Sequence, residues 1–187
     1  MKKKEFIALG LMSGTSMDGV DISVIKSDGY NEFRSILNNY FEFDEDIQAK
    51  LINLRSKIFT IKDLDKYSKE LKELEREITL FHGEIIEKVT KNLDYQVDLI
   101  GFHGQTIFHN SDEKISKQLG DGKLLSQITK RIVINDFRKE DLLNGGQGAP
   151  LTPIFHKLIS NHINKKFQLN LPLHIINIGG ITNITQI

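Results

Sequence analysis

The sequence predicts an α/β fold built on one mixed sheet, with strands and helices in the order βββ-α-β-α-β. Three observations support this fold class. Three apolar runs with short links stand near the N-terminus, a long amphipathic pattern follows, and later apolar runs alternate with helical segments. An order of this kind builds a mixed sheet with helices packed on it.

The first three strands are predicted over residues 6–12, 20–26 and 33–43. The first is a short apolar run bounded by glycine and serine, which is typical of a buried strand. A Ser-Asp-Gly turn at residues 27–29 follows the second strand. The third mixes aromatic and aliphatic residues without helical spacing. Because the links are short, the three strands are expected to form an antiparallel meander.

Helical patterns come after the meander. Asp44 or Asp46 is expected to start a short helix that ends at Lys57, and Thr60 with Asp63 resembles a capping box. Apolar residues then recur at three- and four-residue steps over residues 64–89, which predicts one long amphipathic helix. This stripe is interpreted as core packing.

The rest of the chain alternates strands and helices. Strands are predicted over residues 97–102 and 131–135, and helices over 123–130 and 154–164. A long glycine-rich loop separates the last strand of this group from the last helix.

A lobe boundary is predicted near residue 171, where polar and charged residues give way to Leu-Pro and a new apolar run. Residues 1–171 would form one lobe, and residues 172–187 would start a second. The stretch NIGGITNIT at residues 177–185 repeats the strand–glycine turn–strand pattern found near the N-terminus. Two such elements suggest two lobes that close around a phosphate chain.

Composition excludes several classes of function. The chain has 187 residues, 39% of them hydrophobic and 27% charged, as expected for one globular domain. Lys+Arg and Asp+Glu both total 25, so no long-range field attracts nucleic acid or an anionic membrane. The absence of cysteine excludes disulfides, thiolate nucleophiles and Cys-based zinc sites. No signal peptide is recognised, so a cytoplasmic location is predicted.

The first segment with chemical potential is SGTSMDG at residues 13–19. Glycines allow backbone N–H groups to approach phosphate oxygens, and the hydroxyls of Thr15 and Ser16 add donors. Asp18 or Asp21 could hold Mg²⁺ directly or through water. A polar hairpin turn without a ligand is the competing interpretation. The segment is not a Walker P-loop, because no Gly-Lys-Ser/Thr follows.

Asp136 directly follows an apolar strand, at the carboxyl end where open α/β sheets bind ligands. Its carboxylate is ionised at neutral pH and can accept a proton. Arg138 could hold this carboxylate or bind an anionic substrate. A simple turn with a local ion pair is an equally good interpretation of these residues alone.

His103 and Gln105 stand at another predicted strand end, in the sequence GFHGQT at residues 101–106. His103 could bond a substrate hydroxyl or transfer a proton, or it could be structural. The glycine-rich stretch NGGQGAP at residues 144–150 suits a sugar or phosphate ligand, or a mobile linker. The histidines show no metal-ligand spacing, so no protein metal site is predicted.

Together and in this order, the motifs resemble those of the anhydro-N-acetylmuramic acid kinases of bacterial cell-wall recycling. The matching segments span nearly the whole chain. They are GLMSGTSMDGVD (10–21), HGQT (103–106), LGDG (119–122), DFR (136–138), GGQGAPL (145–151) and NIGGITN (177–183).

The resemblance implies an actin-like ATPase fold with RNase H-like lobes, which binds ATP with Mg²⁺ in a cleft. The implied reaction opens the 1,6-anhydro bridge of the sugar with water and phosphorylates O6. Asp136 would be the catalytic base, and His103, Gln105 and Arg138 would hold the sugar. The first phosphate-binding hairpin would comprise Gly14, Thr15, Ser16, Met17, Asp18, Gly19, Val20 and Asp21, and the second would include Gly179 and Gly180.

Members of this family continue through a complete second lobe that carries the adenosine pocket. The sequence is therefore expected to be half of such an enzyme, a kinase whose partners are a small sugar and either a second copy or a separate chain with the other lobe. Neither nucleic acid nor membrane is an expected partner. A non-catalytic module that binds the sugar or a partner chain is the alternative.

Overall fold

The computed structural model of the chain describes residues 4–178 and 182–187. Its centre is a six-stranded mixed sheet. The strands are β1 Phe6–Ser13, β2 Gly19–Ser27, β3 Phe33–Glu42, β4 Leu99–Asn110, β5 Ile115–Leu119 and β6 Ile132–Asn135. The sheet runs β3-β2-β1-β4-β5, and β6 also pairs with β4. The predicted α/β class with a mixed sheet is confirmed.

The predicted antiparallel meander is present, because β1 pairs with β2 and β2 with β3 in antiparallel register. β4 and β6 then add in parallel to β1 and β4 respectively. β1 and β6 therefore end beside the middle of β4, opposite Gln105 and Phe102, and ligands of open α/β folds bind at such carboxyl ends of parallel strands.

In the described part of the chain, six helices connect the strands. They are α1 Glu45–Arg55, α2 Ile61–Lys66, α3 Ser68–Lys91, α4 Gly122–Thr129, α5 Phe137–Leu143 and α6 Pro153–Phe167. Asp44 caps α1 by accepting a hydrogen bond from Ile47 N at 2.8 Å, and Thr60 with Asp63 forms the predicted capping box of α2. Leu71, Leu74, Ile78 and Ile85 of α3 are buried in the hydrophobic core, as the apolar stripe predicts.

Three predictions of secondary structure are wrong. The single helix over residues 64–89 is two helices, because the backbone of Tyr67 leaves helical geometry at φ −101° and ψ 21°. β5 is missed because ISKQL is not an apolar run, and it pairs with a half of β4 that extends beyond residue 102. α5 is missed because its short, charged sequence lies in a segment predicted to be a loop.

Residues near the C-terminus form a separate two-stranded sheet of β7 His174–Asn177 and β8 Asn183–Gln186. Among the described strands, these two pair only with each other. The Nδ1 atom of His156 in α6 lies 2.7 Å from Thr185 Oγ1 and links this sheet to the rest of the chain. The division of the chain at residue 171 stays a prediction.

Candidate functional site

The candidate site lies where β4 changes its pairing partner. β4 pairs with β6 as far as Phe102 and Asn135, and from Gln105 onward it pairs with β5 instead. Gly104 has φ +70°, and a Cβ atom there would collide with the carbonyl oxygen of Leu119. Glycine is therefore required at the fork, where β5 and β6 diverge.

A cavity of about 370 Å³ occupies this fork. Its walls come from β4, the β4–β5 hairpin, the end of β6, α5 and one residue of α3. The polar lining residues are Glu75, His103, Lys114, Ser116, Lys117, Gln118, Asn135, Asp136 and Lys139. A cavity of this size with converging polar groups suits a small polar ligand.

Asp136 lies at the end of β6 and lines the cavity. Its backbone is left-handed, with φ 60° and ψ 39°, a conformation that is uncommon for most non-glycine residues but that Asp and Asn adopt more readily. Although Asp136 precedes α5, its carboxylate caps no backbone N–H of that helix in the described part of the chain. Oδ2 lies 3.8 Å from Lys139 Nζ, and the side chain of Asp136 is 49% exposed, so the carboxylate is accessible to a ligand.

His103 and Arg138 form a hydrogen-bonded pair beside Asp136. Arg138 Nε donates to His103 Nε2 at 3.0 Å, so the ring proton must be on Nδ1, which lies 2.7 Å from Gly104 O. Burial, together with the nearby Arg138 charge, lowers the pKa of His103 to about 4. His103 is therefore neutral at pH 7, and both of its ring nitrogens are already engaged.

Arg138 also organises the glycine-rich loop that follows α5. Its NH1 atom donates to Gly148 O at 2.6 Å, and Gly148 N donates to Asp141 Oδ2 at the same distance. A Cβ atom at Gly146 would collide with the Asp141 carboxylate. α5 thus holds this loop through two side chains, which supports a defined conformation rather than a mobile linker.

The β1–β2 hairpin presents a polar tip on a buried support. Thr15, Ser16 and Asp18 are exposed at the tip, whereas Met17 is only 6% exposed and turns inward with φ 58°. A hydrogen bond from Ser16 Oγ to Asp18 Oδ1 is the main cause that lowers the pKa of Asp18. The tip therefore combines hydroxyls with an ionised carboxylate, which fits phosphate oxygens and a divalent cation.

Of the predicted hairpin residues that follow the tip, two are buried and one is exposed. Gly19 and Val20 are buried, and a Cβ atom at Gly19 would collide with Phe41 O. Asp21 is exposed on β2 and pairs with Met12 across the hairpin. Asp18 O accepts from Phe43 N at 2.9 Å, which fixes the base of the turn to the end of β3.

Gln105 is completely buried and joins the hairpin to the cavity strand. Its Nε2 atom donates to Gly14 O at 2.9 Å, and its Oε1 atom has no hydrogen-bond partner among the described residues. Gln105 does not line the cavity of about 370 Å³, unlike His103 and Asp136. The structure therefore places Gln105 between the two parts of the site.

Gly179 and Gly180 lie outside the described residues, so the predicted second phosphate-binding hairpin is described only by its flanking strands. Several cavity residues were missed from sequence, among them Glu75, Lys117 and Asn135. Glu75 and Lys117 are 42 positions apart, and no local pattern signals their ion pair of 2.7 Å. Lys117 lies on β5, which pairs with β4, so a sequence prediction that included this strand would have placed Lys117 next to the cavity.

Comparison with known proteins now adds to this geometry. A family model described as anhydro-N-acetylmuramic acid kinase matches residues 6–187. The chain belongs to this family. The predicted family and its actin-like ATPase fold class are therefore confirmed, and the family is one of phosphotransferases.

Curated relatives carry the same name. The anhydro-N-acetylmuramic acid kinase of Pelagibacter ubique is 55% identical over 99% of this chain, and that of Agrobacterium fabrum is 39% identical over 96%. The chain spans about half the length of these relatives, 48% in both cases. None of the helices in the described part of the chain is long and apolar enough to cross a membrane.

Proposed function

We propose that this chain forms the sugar-binding lobe of an ATP-dependent kinase acting on 1,6-anhydro-N-acetylmuramic acid. Water would open the 1,6-anhydro bridge at the anomeric carbon while the released O6 takes the γ-phosphoryl group, giving N-acetylmuramic acid 6-phosphate. The observation that carries this proposal is the carboxylate of Asp136, which among the described residues makes no capping hydrogen bond to α5 and lines a cavity large enough for a sugar. The cavity lies at the same end of the parallel strands as the β1–β2 hairpin.

Asp136 would act as the general base. Cleavage at an acetal carbon needs an activated water, and in glycoside hydrolysis a carboxylate takes the proton of that water. The left-handed backbone of Asp136 and its lack of a capping bond leave the carboxylate available at the cavity wall. Phosphorylation of O6 would replace a separate proton donor for the leaving oxygen.

Arg138 and His103 would orient the sugar rather than transfer protons. His103 accepts from Arg138 at 3.0 Å through Nε2, and its other nitrogen faces Gly104 O, so neither is available as a base. His103 instead fixes the guanidinium of Arg138, which does not itself line the cavity of about 370 Å³ and would act by holding His103 and the glycine-rich loop in place. Gln105 would keep the hairpin in register with this wall through its bond to Gly14 O.

The hairpin tip would hold the phosphates of ATP. Thr15 and Ser16 supply exposed hydroxyls, and the turn from Gly14 to Asp18 supplies backbone N–H donors. Asp18 and Asp21 would hold Mg²⁺ directly or through water, and the cation would neutralise phosphate charge during transfer. The buried Met17 and Val20 would support this tip.

The second lobe of the nucleotide cleft would come from the half of the relatives with which this chain does not align. Residues 172–187 would begin that lobe, and Gly179 with Gly180 would form its phosphate-binding turn. A homodimer, or a separate chain that carries the other lobe, would then complete the enzyme.

The proposal is tested by turnover and sugar binding in parallel. The chain is incubated with Mg-ATP and 1,6-anhydro-N-acetylmuramic acid, alone and with the C-terminal half of the Pelagibacter ubique relative, and the 6-phosphate is measured by mass spectrometry. We expect product only in the mixture. Asp136→Asn should lower turnover by about 10²–10⁴-fold while the chain still binds sugar.

Asp94→Asn is the matched control, because Asp94 lies exposed in the turn after α3. Sugar binding without turnover in any mixture would favour the non-catalytic binding module instead. Full turnover by folded Asp136→Asn would exclude Asp136 as the base. Product from the chain alone would contradict the requirement for a second lobe.

A further inference from the structure

The cavity is lined by more lysines than carboxylates, so its positive charge is not fully neutralised by its own acidic residues. Three lysines line it, Lys114, Lys117 and Lys139, against two carboxylates, Glu75 and Asp136, which leaves one positive charge in excess. His103 adds no charge at neutral pH because it is held in its neutral form. A neutral sugar that displaced water from this cavity would leave that excess charge without a counter-ion.

Lys117 is the best positioned of these cations. It lies on β5, and its Nζ atom donates to Glu75 Oε1 at 2.7 Å. The same oxygen accepts from Gly120 N at 3.2 Å, so Glu75 is fixed between the strand end and the lysine. An ammonium group has three donors, and Glu75 uses one. The ion pair therefore orients Lys117 at the cavity and leaves donors for a ligand.

Lys114 supplies the excess charge. It lies in the turn of the β4–β5 hairpin, where its backbone has φ 55° and its N–H donates to Ser111 O at 3.1 Å. Within residues 4–178 and 182–187, no carboxylate lies within salt-bridge distance of its ammonium group. Lys139, by contrast, lies 3.8 Å from Asp136.

We propose that Lys114 and Lys117 form a subsite for the carboxylate of an acidic sugar, on the β5 wall of the cavity. This inference rests on the proposed function, since the substrate proposed there carries an ionised lactyl carboxylate beside its ring. The subsite would select the acid over neutral anhydro sugars, because only the acid compensates the lysine charge.

The test compares two ligands of nearly the same shape, one with a charged carboxylate and one with a neutral carboxamide at the lactyl group. The chain is titrated calorimetrically with 1,6-anhydro-N-acetylmuramic acid and with its lactyl carboxamide. We expect the acid to bind about tenfold or more tightly than the amide, as for a charge-assisted hydrogen bond. Lys117→Met and Lys114→Met should each remove most of this preference and leave amide affinity within about twofold. Lys117→Arg should retain it.

Lys88→Met is the matched control. Lys88 is exposed on the same helix as Glu75 but lies about 20 Å further along it, at 1.5 Å per residue. The control should leave both affinities unchanged. Titration with inorganic phosphate provides a second comparison, because lysines that served a phosphate would lose phosphate affinity and not acid preference.

Each outcome decides one of the two proposals. An acid preference that survives both methionine variants, an equal loss for acid and amide, or a loss confined to phosphate would overturn the carboxylate subsite and leave the proposed function standing. Failure of the unaltered chain to bind either sugar would overturn the proposed function at this cavity, and the subsite with it.

Discussion

The two glycine hairpins of this chain share a sequence pattern but differ in structural support. The β1–β2 hairpin lies inside the six-stranded sheet, and its turn is tied to β3 by Asp18 O and to β4 by Gln105. The β7–β8 hairpin is described only by its strands, which pair with each other in a two-stranded sheet. Ile176 and Ile184 there are 57% and 62% exposed, whereas Met17 in the first turn is 6% exposed.

This difference shows that a glycine turn specifies a backbone path but not its rigidity. A phosphate site needs N–H groups that are already oriented, and orientation comes from neighbouring strands and buried side chains. The first hairpin has both. The second depends on its own pairing and on the His156–Thr185 contact, and two-stranded hairpins alone are marginally stable in water.

The largest expected effect is a difference in stability between alanine variants of the two methionines in the first hairpin. Met17→Ala removes a buried side chain and should lower the free energy of unfolding by about 2–5 kcal/mol. Met12→Ala, at a position 42% exposed, should cost much less. Urea unfolding of both variants provides the measurement. Equal losses would mean that Met17 does not anchor the turn.

The pH dependence of stability should be nearly as large. His82 lies beneath the first hairpin, with Nε2 3.4 Å from Ser13 Oγ, and burial lowers its pKa to about 4. The unfolded histidine protonates near pH 6.5, so stability is complete above that pH and falls as the pH drops from about 6.5 to about 4. The loss from His82 should reach roughly 3 kcal/mol.

The measurement is urea unfolding between pH 7 and pH 4.5. His103 has a pKa lowered in the same sense, so His82→Gln should reduce the pH dependence without abolishing it. A variant as pH-dependent as the unaltered chain would show that His82 is not the group that titrates.

A smaller effect is expected at the link between hairpin and cavity. Gln105→Met removes the donor to Gly14 O, at a cost of about 1 kcal/mol, and also removes the buried Oε1 atom that has no partner in the described residues. Because these effects partly offset, global stability should change little. Hydrogen exchange of the amides at residues 14–18 should become faster. Unchanged exchange would mean that Gln105 does not stabilise the hairpin turn. Gln96→Met, at an exposed position, is the control.

The smallest effect is expected in the second hairpin. Ile184→Thr should change the free energy of unfolding by about 0.5 kcal/mol or less, because the side chain is 62% exposed. In the 187-residue chain, amides of β7 and β8 should exchange faster than those of β1 and β2. Equal protection of the two hairpins would show that the surrounding sheet does not make the first hairpin more rigid than the second.

The sequence predicted the parts of the site that are local in the chain. The strand before Asp136, the hairpin around Gly14 and the core stripe of α3 follow from periodicity and turn chemistry. The cavity could not be predicted in this way, because it depends on β4 exchanging β6 for β5 and on Glu75 meeting Lys117 across 42 positions. Nor does periodicity reveal that Met17 turns inward or that Asp136 is left-handed.

The most direct test of the central claim is to map where the sugar binds. Titration of the ¹⁵N-labelled chain with 1,6-anhydro-N-acetylmuramic acid should shift the amide signals around His103, Lys117 and Asp136, which line the cavity. The signals of β7 and β8 should stay in place. Shifts confined to residues around Gly10 and Gly101, which line other pockets and not this cavity, or no saturable shift at the cavity, would contradict the assignment of this lobe as the sugar-binding half of the kinase.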